Sequence, residues 1–191
     1  MNDDFYIDPE LAHSLQPKID RMKNDDDWSG LVDLLMPVCQ RYKMEYYYFY
    51  EISGAYYQLR NFSEALKYAD AAYDIEKHDV IVLYARGMAL HGCERHAEAL
   101  DMFDRILRKN AKRTAYGIHG EGIGTFATFN DARYMKGVCF MEMGDYIRAR
   151  RYIKLHLTKR RRGMYSDFPK RQVLKRYNKL LELIEKSKKS T

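Results

Sequence analysis

The stretch SGAYYQLRNFSEALKYADAA, residues 53–72, decides the fold. Phe62, Ala65 and Ala72 share one face at helical spacing, and Arg60-Asn61 breaks the pattern upstream of them. Asn61 followed three residues later by Glu64 is a capping-box-like start for a helix running to about Ile75. Working outward, the pattern recurs in phase. Trp28, Phe62, His96 and Tyr146 stand three residues before Leu31, Ala65, Ala99 and Ala149, at intervals of 34, 34 and 50. Upstream, Ile19, Ser53, Gly87 and Gly137 repeat with the same intervals. A period of this size signals stacked helical hairpins, because one hairpin cannot bury its apolar face without neighbours. Small residues at Gly87, Gly137, Ala65, Ala99 and Ala149 let paired helices approach, while Trp28, Phe62 and Tyr146 fill the space between repeats. The expected fold is all-α, and its expected use is an interaction scaffold.

The 34-residue unit resembles the tetratricopeptide repeat (TPR) family. Its clearest copies run from Phe49 to Ile75, through Ile52, Ser53, Tyr56 and Phe62, and from Leu83 to Leu107, through Gly87, Leu90, Ala99, Phe103 and Ile106. A third, Arg133 to Leu157, carries Gly137, Phe140, Gly144, Tyr146 and Ile153; a degenerate first copy keeps phase through Met22, Leu35 and Val38. No repeat ends in the family's proline, and Arg133 stands where the family has a large apolar residue. The resemblance implies one domain over 1–191, a right-handed superhelix of stacked antiparallel hairpins with a C-terminal capping helix. Its repeats are about 12–43, 46–77, 80–110 and 130–158, with a Gly-rich insert at 111–129 and a basic loop and cap helix at 159–191. Pro17 and Pro37 should kink or shorten the first hairpin, since each removes a helix hydrogen bond.

In this family the first helix of each hairpin lines the concave face. The resemblance therefore places Tyr47, Tyr50, Tyr57 and Gln58, then Tyr84, Met88 and His91, then Asp131, Tyr134, Val138 and Met141 on that face. Tyr50, Tyr84 and Tyr134 occupy equivalent places and should form a ladder. Tyrosine offers a large, rigid contact area with one hydroxyl, and methionine an adaptable apolar one. The other reading of these rings is that they pack against the insert or the C-terminal helix. Some family members clamp a terminal carboxylate with Lys, Asn and Arg; the matching places here hold Tyr50, Gly54, Tyr84, Met88 and Val138, so that clamp is missing.

The insert carries Gly117, Gly120, Gly122 and Gly124, but no Gly-Lys-Ser/Thr follows and no strand precedes, so neither nucleotide fingerprint is met. It reads as a loop anchored by Ile118, Ile123, Phe126 and Phe129. His91, Cys93 and His96 match no zinc spacing, and His119 with Glu121 makes no catalytic set. No cofactor, metal or catalytic residue is expected. Cys39, Cys93 and Cys139 form no Cys-x-x-Cys pair and read as reduced thiols. The start Met-Asn-Asp-Asp-Phe-Tyr lacks a signal peptide's basic and apolar regions, and no run approaches the ~20 apolar residues a membrane span needs. The expectation is a cytoplasmic protein without membrane contact.

The net charge of +6 hides a division. Residues 148–191 hold sixteen Lys and Arg against three acids, whereas residues 1–147 hold 17 basic and 24 acidic residues. Lys159, Arg160, Arg161 and Arg162 read as a loop, and a helix from Pro169 to about Lys186 carries Lys170, Arg171, Lys175 and Arg176 on its exposed side. Its stripe of Val173, Leu174, Tyr177, Leu180, Leu181 and Ile184 should cap the last repeat. The leading expectation is a protein or peptide partner on the tyrosine face. A nucleic-acid-associated regulator is the alternative; the basic segment itself could meet an acidic protein surface, associate with the acidic front of a second copy in a homodimer, contact phosphates or simply be solvated. The segment Asn130-Asp131-Ala132-Arg133-Tyr134 through His156-Leu157 and Arg161-Arg162-Gly163 to Tyr165-Ser166 also resembles small stand-alone bacterial repeat proteins, some of which sit beside toxins as immunity or adaptor proteins.

Overall fold

The computed structural model describes residues 6–116 and 123–189. Among them are ten helices and no strand: α1 Pro9–Asn24, α2 Trp28–Arg41, α3 Tyr46–Gln58, α4 Phe62–Ile75, α5 Val80–Gly92, α6 His96–Arg108, α7 Ala111–Ala115, α8 Ile123–Glu142, α9 Tyr146–Arg161 and α10 Lys170–Lys189. They pack in consecutive pairs, α1 with α2, α3 with α4 and α8 with α9. The chain forms two compact units, Met1–Glu94 with α1–α5 and Arg95–Thr191 with α6–α10.

The period read from the sequence is the period of the turns. Asp26, Arg60, Glu94 and Gly144 all have positive φ, and they follow one another at intervals of 34, 34 and 50. In three of these turns a backbone amide reaches five residues back: Asp27 to Met22, Asn61 to Tyr56 and Asp145 to Phe140, at 2.8–2.9 Å. This is the Schellman closure that satisfies the last carbonyls of a helix. The next residue caps the following helix. Asp27 accepts from the Gly30 amide, Asn61 from that of Glu64 and Asp145 from that of Arg148, while Arg95 at the same place supplies no side-chain cap. Asn61 completes only half of the expected box, because its own amide is spent on Tyr56 and the Glu64 carboxylate takes Lys67.

In the first unit α3 packs on α2, α4 and α5. Its core runs from Leu15 and Ile19 through Leu31, Leu35 and Tyr48 to Ile52, and a second cluster gathers Ala65, Ala69 and Ala89. The buried Ser53 hydroxyl donates to the Ala65 carbonyl at 2.8 Å. α1 and α2 continue past Pro17 and Pro37, both exposed, to Asn24 and Arg41, and so neither helix ends at its proline.

In the second unit α8 packs on α6, α7 and α9, and α10 packs on α9 as the expected cap. At Gly137 a Cβ would stand 2.5 Å from Ile153 Cγ1 and 3.2 Å from the Ala149 carbonyl oxygen. The absent side chain is what lets α8 and α9 meet here. The insert differs from the expected loop. Residues 111–115 form α7, and α8 starts at Ile123, so Gly124, Phe126 and Phe129 are helical; Tyr116 and Phe126 rings meet at 5.9 Å. Gly117, Ile118, His119, Gly120, Glu121 and Gly122 lie outside the described residues. The expected basic loop begins later, because α9 continues through Lys159 and Arg160 to Arg161.

Candidate functional site

The residues expected on a tyrosine-rich face of the first unit lie on α3 and α5, two helices that pack against each other. α3 contributes Tyr47, Tyr50 and Tyr57, all half-buried, with Gln58 exposed at its end; α5 contributes half-buried Tyr84, Met88 and His91. The rings are held by their neighbours. Tyr47 meets Tyr48 edge-on at 5.4 Å and Tyr50 at 6.1 Å, and its hydroxyl donates to Gln16 on α1 at 3.2 Å. Tyr57 packs on Phe62 at 5.3 Å. Half-exposed aromatic rings fixed by ring contacts offer area to a partner at small entropic cost.

Tyr134 does not join them. It is fully buried, with Phe168 at 4.6 Å and His156 at 5.3 Å from its ring. The cover comes from the segment between α9 and α10, and the Arg176 guanidinium of α10 lies 5.9 Å from the same ring. The alternative reading has such a ring packed against the insert or the C-terminal helix; here the ring contact is Phe168, just before that helix, with Arg176 of the helix itself beside it. Asp131 and Val138 on the same helix are buried too, and Met141 is half-buried near its end.

Around Tyr134 lies a buried polar cluster that ties the α9–α10 segment to α8. The Asp167 amide donates to Asp131 Oδ2 at 2.9 Å, and Asn130 Nδ2 donates to the Tyr165 carbonyl at 3.2 Å. Arg160 donates to the Phe168 carbonyl. Arg133, the family mismatch, sends one nitrogen to the Phe129 carbonyl at 2.9 Å and to Met164 Sδ at 3.6 Å. His156 Nδ1 lies 2.9 Å from the Asn130 carbonyl oxygen, so the neutral ring carries its proton there; Asp131 Oδ1 is 3.9 Å away, too far to accept it. Burial pushes the Asp131 carboxyl up to about 6 against the pull of Ser166 and the Asp167 amide, and it pushes His156 down. Burial also raises the Tyr134 phenol, opposed by Arg176.

A second feature repeats between hairpins. Arg86 Nε on α5 meets Asp70 on α4 at 2.6 Å with its guanidinium 4.4 Å from the Tyr73 ring centroid. Lys136 on α8 meets Asp104 on α6, with the Tyr152 hydroxyl at 3.0 Å and that ring 4.3 Å away. Asp70 and Asp104 are 34 residues apart, Arg86 and Lys136 50, which are the intervals of the turns. Sequence reading missed these pairs, although that spacing announces them.

Of the basic residues, Arg161, Arg162, Lys170, Arg171 and Lys175 are exposed, while Lys159, Arg160 and Arg176 are half-buried. Among the described residues no helix is long and apolar enough to cross a membrane. Cys39 and Cys139 are buried thiols pushed up to about 12 by burial, and Cys93 Sγ donates to the Phe62 carbonyl at 3.3 Å.

Consecutive helix pairs, periodic left-handed turns and small residues at the pair contacts define a TPR-like helical repeat protein. Solved structures of MamA, a TPR-repeat protein, share this fold. One is similar with a TM-score of 0.55 at 16% identity, over 96% of this chain and 99% of that chain. Another has a TM-score of 0.57 at 15% identity, over 90% of each. No protein-family model matches the chain. No curated protein matches it by sequence.

Proposed function

We propose that this chain is a non-enzymatic scaffold that binds a protein or peptide segment on the tyrosine face of α3 and α5. The observation that supports this reading is the set of half-buried rings, Tyr47, Tyr50, Tyr57 and Tyr84, with Met88, on two helices that pack side by side. TPR-like folds are interaction scaffolds, and rigid tyrosines are enriched among the residues that dominate binding energies. Tyr134 is withdrawn from the binding set because Phe168 and α10 cover it. Of the residues behind the resemblance to small bacterial repeat proteins, Asn130, Asp131, Tyr134 and His156 are likewise engaged in the buried cluster, whereas Arg161, Arg162 and Tyr165 are exposed.

The test is affinity capture from the native cell with wild-type protein and a matched Tyr50→Ala/Tyr84→Ala bait. Truncation of a ring at a hot spot costs about 2 kcal/mol or more, so the variant should lose its specific partner by roughly 30-fold or more in affinity at unchanged helicity. Recovery of the same proteins in equal yield would move the binding site off this face.

A further inference from the structure

The second unit carries more positive charge than its own ion pairs absorb. Residues 95–191 hold 24 Lys and Arg against ten Asp and Glu. Arg161, Arg162, Lys170, Arg171 and Lys175 are exposed and enter no ion pair among the described residues. They bracket the segment between α9 and α10, where the one acid is Asp167.

That segment is held in place at several points. Gly163, at φ 87°, closes α9, and the Met164 amide reaches back to the Lys159 carbonyl at 3.1 Å. The Tyr165 carbonyl accepts from Asn130 at 3.2 Å, the Asp167 amide is held by Asp131 at 2.9 Å, and the Phe168 ring is packed on Tyr134. Within this anchored turn the Tyr165 side chain does the opposite. It is 59% exposed and makes no ring contact among the described residues. A large ring left in water on a fixed backbone, between two cationic runs, has the elements of a stacking platform.

We propose that Tyr165, with Arg161, Arg162, Lys170 and Arg171, is a docking site for single-stranded nucleic acid. One unpaired base stacks on the Tyr165 ring and the flanking cations neutralise its phosphates. Single strands fit better than duplexes, whose bases are stacked on one another and offer no free face to a projecting ring. They also fit better than an acidic protein surface, because the ring stands out from the turn instead of lining a pocket that an apolar anchor could fill. The fixed backbone lowers the ordering cost on binding.

Fluorescence anisotropy with a labelled oligo-dT of about 20 nucleotides and a duplex of the same length tests this, titrated over roughly 50–200 mM salt. The single strand should bind more tightly than the duplex, with a log–log salt slope of about −3 for four neutralised phosphates. Tyr165→Ala should weaken binding roughly five- to 150-fold at unchanged slope, and Tyr165→Phe should restore it. Replacing Arg161 and Arg162 by Ser should flatten the slope by about 1.4. The Tyr50→Ala/Tyr84→Ala protein should bind the oligonucleotide as wild type does, which separates this site from the tyrosine face. Wild-type affinity in Tyr165→Ala, equal or tighter duplex binding, or no binding at the lowest salt would each overturn the proposal. The last result would leave the cations to a polyanion that is not a nucleic acid.

Discussion

Asp131 is a carboxylate that the fold needs as an acceptor and disfavours as a charge. Its Oδ2 holds the Asp167 amide, yet it is fully buried, with Ser166, Asp167, His156 and Arg160 as its polar and charged surroundings. A carboxyl raised from 3.8 to about 6 binds its proton more tightly folded than unfolded. Its contribution to stability is therefore complete below the unfolded value and is lost as pH rises through the folded one. Asp131→Asn keeps an acceptor for Asp167 without the buried charge. It should stabilise the protein by about 1–3 kcal/mol near pH 8, and the gain should shrink towards zero near pH 4, where wild-type Asp131 is already neutral. His156 titrates with the opposite sign, losing its contribution as pH falls below the usual imidazole range, but it is common to both proteins and drops out of the comparison to first order. Urea unfolding of both proteins across this range measures the difference. A pH-independent difference would mean that Asp131 does not titrate as its burial requires.

At the scale of elements, Gly54 and Gly137, both helical, have opposite meanings. Around Gly54 on α3 a Cβ would meet nothing within 4 Å, so Gly54→Ala should raise stability by about 0.5–1 kcal/mol through helix propensity alone. At Gly137 the Cβ would press on Ile153 and on α9 backbone, which cannot rotate away, so Gly137→Ala should cost about 1–3 kcal/mol. Thermal unfolding of the pair gives the two signs, and a neutral Gly137→Ala would mean that α8 and α9 are not in close contact. The close approach at Gly137 was legible in the sequence, because a small residue at a fixed phase is the mark of one helix crossing another. The turns were legible for the same reason, although Arg60 and Glu94, unlike Asp26, give no residue-type sign of their positive φ. The burial of Tyr134 was not. Its cover, Phe168, lies 34 residues downstream in a segment outside the repeat, so the phase that aligned Tyr134 with Tyr50 and Tyr84 says nothing about what lies over it. Arg133 looked like a departure from the family for a related reason: its partners, the Phe129 carbonyl and Met164, are supplied by local helix geometry and by that same segment.

For the molecule as a whole, the consequence of the repeat is that the helix contacts in each unit join elements adjacent or next-but-one in the chain: α2 with α3, α3 with α4 and α5, α6 with α8, α8 with α9, and α9 with α10. Stability in such an array is approximately a sum of repeat terms and nearest-neighbour interfaces, so a defect should weaken its own neighbourhood first. Gly137→Ala provides the defect, because the clash is confined to α8 and α9. Native-state hydrogen exchange should show amides of α8, α9 and α10 losing protection by roughly five- to 150-fold, matching a cost of about 1–3 kcal/mol, while those of α2, α3 and α4 keep theirs. Ala65→Leu is the mirror experiment, since Ala65 is fully buried in the first unit beside Ala69 and Ala89 and should lose protection there instead. If either substitution lowers protection evenly from α2 to α10, the chain unfolds as one cooperative block. The repeat period would then describe how the helices are arranged without describing how their stability is shared.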